Sequence, residues 1–360
     1  MITGNKGEWS EIYALFKLLG DKQVFAGDAD LNKIETLFYP IIKILRTEIT
    51  GNYAYSVDKD IVVVSENGTE ILRIDTSEFV IQAAALLAKI KKTTGSTFSI
   101  PETEKFMNEV KCQTLKAKST NKTDIRIVIH DLKTALQPLL GFSIKSQLGN
   151  ASTLLNAGSP TNIIYKIENT IINFADTKRI NEISTRSKIK DRIEAINTLG
   201  GDLQYSNFEN NVFKNNLVLI DSCLPQIIAE IVKIFYSSKI NTIKDITEHL
   251  KRTNPLNYDI THSHKFYEYK IKRFLTDIAL GMMPATVWTG LYDATGGYLV
   301  VKEDGEILCY HFYNKNEFED YLFANTRLET ASSTRYGFGT IENTDENQIF
   351  KLNLQIRFKH

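Results

Sequence analysis

Two short runs of alternating apolar and polar residues constrain the fold of this chain more than any other feature. They occupy positions 124–130 and 142–148. Because side chains alternate across a β-strand, the first run predicts a strand with isoleucines on one face and Asp124 on the other. The second run predicts a strand whose polar face carries Ser143, Lys145 and Gln147.

If these two strands pair, the carboxylate of Asp124 and the ammonium of Lys145 converge. Metal-assisted cleavage of a phosphodiester needs such a pair: an anion that holds Mg²⁺ and a cation beside the attacked phosphate. A half-buried hairpin that carries an acid and a lysine toward solvent is also an ordinary protein surface. The spacing alone leaves both interpretations open, and the ordinary surface is the more common of the two.

Three segments of the chain together match one enzyme family. They are NKGEWSEIY at 5–13, TDI at 123–125 with FSIKS at 142–146, and LNLQIRF at 352–358. In these segments the chain resembles the HpaII-type type II restriction endonucleases, on a PD-(D/E)XK nuclease core. The resemblance implies Mg²⁺-dependent cleavage of double-stranded DNA at a short palindromic site, CCGG in that family. It also implies a homodimer on DNA and a cognate DNA methyltransferase as a separate protein.

The resemblance also assigns roles to individual residues. Asp124 matches the metal-binding aspartate of the nuclease core and Lys145 matches its lysine. The position two before that lysine, usually Glu or Asp, is Ser143, and a neutral hydroxyl holds a divalent cation far less well than a carboxylate. The backbone carbonyl near Ile144 would complete the metal shell, and Gln147 extends the catalytic face. The missing negative charge must therefore come from another part of the chain.

The amino-terminal segment offers that charge. Asn5 followed by Glu8 fits a capping box, and apolar residues recur at helical spacing, so the pattern predicts a helix from about 6 to 20. Glu8 and Glu11 lie on the flank of its apolar stripe. We expect Glu8 to cap the helix and Glu11 to supply the second metal-binding acid. Glu11 could equally be a solvated surface residue.

The order of predicted elements indicates an α+β fold with a central mixed sheet flanked by helices. Residues 1–170 are expected to form the nuclease core, and 171–285 a helical region with basic patches. Residues 286–360 are expected to form a β-rich region used for DNA recognition. The signal is mainly strands up to about 75, helical from 179 to 280, and mainly strands again after 287.

DNA contacts must be local, because 43 basic and 43 acidic residues cancel and leave no global positive field. The candidates lie in two places. Lys188 and Lys190 belong to a basic stretch, and a hydroxyl-rich segment carries Arg327, Ser332, Ser333 and Arg335. Arginine can read guanine bidentately, and hydroxyls can contact phosphates or base edges. Solvated side chains on a polar surface are an equally good interpretation of each residue singly.

The remaining features exclude other classes of protein. Three scattered cysteines do not suggest a disulfide framework or a zinc module. No segment resembles a signal peptide or approaches the ~20 apolar residues of a membrane helix, so we expect a bacterial cytoplasmic protein without a membrane partner. Two rival functions remain: a non-cleaving, sequence-specific DNA-binding protein on a decayed nuclease core, and a repair nuclease that recognises DNA structure.

Overall fold

A computed structural model describes residues 1–117, 123–132, 135–345 and 347–359. The helices are α1 (Lys6–Asp21), α2 (Thr76–Lys92), α3 (Pro101–Glu109), α4 (Phe174–Asn181), α5 (Lys188–Thr198), α6 (Asn211–Ile220), α7 (Leu224–Ser237), α8 (Ile243–Thr253), α9 (Phe266–Leu280), α10 (Lys315–Ala324) and α11 (Ser333–Tyr336). The strands are β1 (Gln23–Gly27), β2 (Lys33–Thr47), β3 (Asn52–Asp58), β4 (Ile61–Glu66), β5 (Thr69–Asp75), β6 (Ile125–Ile129), β7 (Leu139–Ser146), β8 (Thr153–Leu155), β9 (Asn162–Glu168), β10 (Asp202–Phe208), β11 (Gly297–Val301), β12 (Ile307–His311), β13 (Thr326–Leu328), β14 (Ile341–Asn343), β15 (Gln348–Asn353) and β16 (Ile356–Phe358). The chain is therefore of the mixed α+β class, as predicted.

The largest sheet has nine strands in the order β1-β12-β11-β7-β6-β2-β3-β4-β5. Strand β7 lies near its centre, antiparallel to β6 and parallel to β11. The two predicted strands are therefore neighbours in the sheet, but β6 pairs with residues 139–142, and residues 143–146 of the second run pair with β11. The buried isoleucines of β6 alternate with half-buried residues, because one face of the strand packs on the core.

Helix α1 covers one face of this sheet. Its first turn carries the predicted capping box: the Asn5 side chain accepts from the backbone N–H of Glu8, and the Glu8 carboxylate accepts from the backbone N–H of Asn5. Two orphan donors of the helix terminus are thus satisfied. Trp9, Ile12 and Phe16 are fully buried, so α1 is held by its apolar stripe.

A second core lies on the opposite face of the large sheet. It includes a four-stranded sheet in the order β10-β9-β15-β14, a three-stranded sheet in the order β13-β16-β8, and most of the helices after residue 174. Strand β11 separates the two cores, because Tyr298 and Val300 face one and Leu299 and Val301 face the other. A strand that is buried on both faces has a nearly continuous run of apolar residues in its sequence.

Some predicted elements were wrong in detail. Residues 179–199, within the stretch expected to be helical, belong to two helices, α4 and α5, and Arg192 holds the turn between them by donating to the carbonyls of Asn181 and Ile183. Strand β10 falls within the stretch expected to be helical and pairs with β9. Helix α11 falls in the region expected to be mainly strands. The β9–β10 pairing joins separate segments of the chain, which a local sequence pattern does not show.

Two glycines with positive φ give a matched test of the central sheet. Gly297 begins β11 at φ +102°, and a Cβ there would lie 2.1 Å from the carbonyl oxygen of Tyr310 on β12. Gly200 has φ +85°, and a Cβ there would meet open space. We expect Gly200→Ala to lower the free energy of unfolding by about 1–2 kcal/mol, the left-handed backbone cost alone. Gly297→Ala should cost more than about 3 kcal/mol, because the β11–β12 pairing must open. Urea denaturation of both variants measures this difference, and equal losses would contradict the tight β11–β12 approach.

Candidate active site

Asp124 is held at the start of β6 by both its backbone and its side chain. Its backbone N–H donates to the carbonyl of Phe142 at 2.9 Å. Its Oδ2 accepts from the Ser143 hydroxyl at 2.9 Å and from the Ile144 backbone N–H at 2.7 Å. A carboxylate has about four acceptor sites, so these bonds fix the orientation of Asp124 and leave lone pairs for another ligand.

Ser143 is buried beneath this carboxylate. Its hydroxyl donates to Asp124, so in this structure it orients an acid. At this position the chain therefore has a neutral hydroxyl that orients the neighbouring acid and adds no second charge.

Glu11 is half-buried on α1 and lines the same cleft as Asp124. Burial, and then the negative charge of Asp124, raise the pKa of Glu11 to about 8 against the opposing charges of Lys116 and Arg46. Near neutral pH the carboxyl therefore carries a proton unless another cation replaces it. Glu8 lines the same cleft, where its carboxylate caps α1 and forms an ion pair with Lys116 at 3.3 Å.

Lys145 lies on β7, on the same strand face as Ser143. Its Nζ lies 4.9 Å from the centroid of the Tyr298 ring. Burial lowers the pKa of Lys145, and the charges of Asp124 and Glu11 oppose that shift. An amine drawn from water beside two acids is a common feature of functional sites.

One large cleft, which we call the main cleft, brings these groups together. Its volume is about 1010 Å³. Its lining includes three acids (Glu8, Glu11 and Asp124), Ile144 and Lys145, three further lysines (Lys6, Lys91 and Lys116), and segments 93–96 and 148–150. Gln147 lies outside it, in a small neighbouring cavity that also includes Tyr321 and Phe358. The structure thus gathers the two acids and the lysine, and places Gln147 beside them.

Two cations near Glu11 and Asp124, Lys116 and Arg46, were not predicted from the sequence. Lys116 lies in a loop that is anchored from below: Thr114 donates to the Glu48 carboxylate at 2.8 Å, and Arg46 donates to the Thr114 carbonyl. Arg46 and Glu48 form a buried ion pair. The spacing Arg-x-Glu at the end of a long apolar strand was a signal for a same-face pair, but nothing local linked it to Lys116.

Four of the six residues predicted to contact DNA converge on a second cavity, which we call the basic cleft. Its volume is about 430 Å³, and it is lined by Arg186, Ser187, Lys188, Ile189, Lys190, Phe235, Tyr236, Thr330, Ala331, Ser332, Ser333 and Thr334. Three of these residues are basic and none is acidic. The basic stretch and the hydroxyl-rich segment, about 140 positions apart in the sequence, therefore face each other across one cavity.

The two predicted arginines lie elsewhere. Arg335 is exposed, with its guanidinium carbon 5.6 Å from the Tyr336 ring centroid. Arg327 is half-buried on β13, 3.8 Å from the Glu329 carboxylate. Glu329 also pairs with Arg357 on the adjacent strand β16 at 2.5 Å. Arg327 is thus partly neutralised, and Arg335 is free to extend into solvent.

Comparison with known proteins decides the family. The sequence profile of the HpaII restriction endonuclease matches residues 5–358. The chain belongs to the HpaII restriction endonuclease family. It is 49% identical over 360 residues to the type II restriction enzyme HpaII of Haemophilus parainfluenzae, covering 99% of this chain and 98% of that protein. No solved structure gives a significant match.

Membership of the HpaII family makes the chain a site-specific deoxyribonuclease that acts on double-stranded DNA. The rival prediction of a non-cleaving DNA-binding protein is therefore wrong. Within the described ranges, no helix is long and apolar enough to cross a membrane.

The raised pKa of Glu11 predicts how the stability of the metal-free protein varies with pH. A carboxyl whose pKa rises on folding, from 4.5 to about 8, stabilises the folded state fully below its unfolded value and loses that contribution as pH rises through the folded value. We expect the melting temperature in EDTA to fall from pH 5 to pH 8, and Glu11→Gln to flatten this slope. Substitution of the exposed acid Glu194 by Gln is the control. An unchanged slope in Glu11→Gln would show that the carboxyl is already ionised at neutral pH.

Proposed function

We propose that the chain hydrolyses phosphodiester bonds in double-stranded DNA in a Mg²⁺-dependent reaction at a short palindromic site, CCGG by its resemblance to the HpaII family. The observation that carries the proposal is the convergence of Asp124, Glu11 and Lys145 in the main cleft. Their charges influence one another, since Asp124 raises the pKa of Glu11 and both acids oppose the lowered pKa of Lys145.

The donors in the main cleft fit Mg²⁺. Among the described residues, no group of three or more His, Cys, Asp or Glu side chains could enclose a metal ion. Mg²⁺ does not require such a cage, because it is commonly held by one or two carboxylates, with waters and substrate phosphates completing its shell. Asp124 and Glu11 would supply the carboxylates, and the backbone carbonyl near Ile144 a further oxygen. The repulsion between the two acids supports this assignment, since a cation between them removes its cost.

Each residue of the proposed site has a distinct task. Ser143 and the Ile144 backbone N–H hold Asp124 in one orientation. Glu11 must release its proton before it can act as a ligand, which favours activity at a slightly alkaline pH. A bound divalent ion would polarise the phosphate and lower the pKa of an attacking water. Lys145 would donate to that water or to the phosphoryl oxygens on which charge develops.

The arrangement of strands supports a PD-(D/E)XK core. An acid precedes β6, the lysine lies on the adjacent antiparallel strand β7, and β7 pairs in parallel with β11 on its other side. Helix α1 supplies the second acid from outside the sheet. In this interpretation Ser143 replaces the usual strand acid, and Glu11 restores the charge.

The basic cleft is proposed to contact the DNA backbone, with Lys188 and Lys190 on one wall and Ser332 and Ser333 on the other. Lysine ammonium groups and serine hydroxyls are usual partners of phosphates, and these residues line an open cavity. Arg335, which is exposed and close to this segment, is the better candidate for base readout, since Arg327 is already paired with Glu329. A palindromic target further implies two copies of the chain related by a twofold axis, and a separate methyltransferase that protects the same site.

Replacement of the lysine tests the catalytic assignment. We expect Lys145→Ala to retain sequence-specific DNA binding but to lose detectable plasmid cleavage in Mg²⁺, because the cation beside the phosphate is gone. Lys105→Ala, an exposed lysine on α3, should cleave normally. Gel shift in Ca²⁺ measures binding, and sequencing of the cut ends identifies the site. Cleavage by Lys145→Ala would remove this lysine from the mechanism, and random ends would refute the palindromic target.

Salt dependence tests the basic cleft. A lysine that neutralises one phosphate contributes about 0.9 to the slope of log binding constant against log salt concentration. We expect Lys188→Gln to reduce that slope by about this amount and to weaken specific and non-specific binding alike. Lys105→Gln is the matched control, because it removes a charge far from the cleft lining. An unaltered slope in Lys188→Gln would place the DNA backbone elsewhere.

A further inference from the structure

The contact between Lys145 and Tyr298 is set by the register of the central sheet. Tyr298 pairs with Ser143 across the parallel β7–β11 ladder, and Lys145 pairs with Val300. Residues two apart share a face, so the aromatic ring and the lysine side chain lie on the same side of the sheet as diagonal neighbours. The result is the 4.9 Å distance from Nζ to the ring centroid, well within the range of a cation–π interaction.

The Tyr298 ring is a rigid surface. It is fully buried, its hydroxyl donates to the Ala279 carbonyl at 3.3 Å, and it packs edge-on against Phe318 at 5.4 Å between centroids. It also contacts Phe358 of β16. A ring fixed at its hydroxyl end and along its edge cannot move away from the lysine without disturbing the second core.

A contact with a ring face, unlike an ion pair, leaves the N–H groups of the ammonium available to other acceptors. Over the described part of the chain, no carboxylate lies within ion-pair distance of the Lys145 ammonium. The ring attracts the cation through its quadrupole and occupies none of the three N–H donors in a directional hydrogen bond. The ammonium is therefore localised while its donors remain free for a phosphate oxygen or a water.

We infer that Tyr298 is a positioning residue that holds the Lys145 ammonium over its ring face, so that the lysine meets the scissile phosphate without first breaking an ion pair. The inference rests on the proposed catalytic role of Lys145. It assigns to a residue 153 positions away in the sequence the task that an acid performs for many buried lysines.

A series of ring substitutions separates this electrostatic role from simple packing. Tyr298→Phe keeps the ring face and loses only the bond to Ala279. Pentafluorophenylalanine at position 298 keeps the ring shape but reverses the charge distribution of its face. We expect Tyr298→Phe to cleave at close to the normal single-turnover rate, and the fluorinated variant to be slower by roughly 3- to 30-fold with unchanged DNA affinity in Ca²⁺. Equal rates in the two variants would overturn the inference.

Nuclear magnetic resonance with ¹³Cε-labelled lysine provides a readout that does not depend on cleavage. The Lys145 methylene lies near the ring face, so its protons should show an upfield ring-current shift, assigned by loss of the signal in Lys145→Ala. Tyr298→Leu should abolish that shift, while Tyr310→Leu, another buried aromatic on the same sheet face, should preserve it. If Tyr298→Leu does not fold, the cleavage rate of the fluorinated variant still tests the inference. Absence of the ring-current shift in the unmodified protein would refute the contact. If the shift is present but Lys145→Ala cleaves DNA, the catalytic role fails and the contact stands.

Discussion

The organisation of the site depends on the tie between Asp124 and β7. One residue contributes a backbone hydrogen bond to Phe142 and a carboxylate that accepts from Ser143 and from the Ile144 backbone N–H. Hydrogen bonds to a charged carboxylate are stronger than those between neutral groups. The acid is therefore fixed relative to the strand that carries Lys145, and a small change in β6–β7 register would move the acid and the lysine apart.

Charge is arranged locally in this molecule, since the chain as a whole is neutral. The main cleft combines three interacting acids with several lysines at its walls, and the basic cleft has cations without acids. Many of the basic residues that the structure describes elsewhere are paired, such as Lys270 with Asp221, Lys272 with Glu268, and Arg179 with Asp176. Paired surface charges contribute little to stability, and they produce little net electrostatic field. In the basic cleft, by contrast, no acid lines the cavity beside its three basic residues.

Local patterns predicted local structure well. The alternation at 124–130 and the Asn5–Glu8 capping box depend on neighbours in the sequence, and both appear as expected. The expectation that Glu11 would approach Asp124 followed from its position on the flank of the apolar stripe, but the size of its pKa shift depends on how deeply α1 packs. Tyr298 and Lys116 could not have been predicted, because only the long-range pairing of β7 with β11 and the anchoring of the 112–116 loop bring them to the site. The four-stranded sheet is a similar case, since β9, β10 and β15 come from three separate parts of the chain.

The serine at position 143 makes the proposed metal site dependent on tertiary assembly. In a site whose two acids both lie on paired strands, the sheet alone would fix their separation. Here one acid lies immediately before β6 and the other on α1, so the proposed metal ligands meet only when the helix docks on the sheet. That docking is held by the buried stripe of α1, by a 2.8 Å hydrogen bond between the hydroxyls of Ser10 and Ser146, and by the Tyr13 hydroxyl, which donates to the Gly305 carbonyl. The Ser10–Ser146 bond lies one residue from both Glu11 and Lys145, so it couples the position of the helix acid to that of the strand lysine. Because a ligand that binds only the assembled state stabilises that state, a divalent ion held by Asp124 and Glu11 would in turn fasten α1 to the sheet.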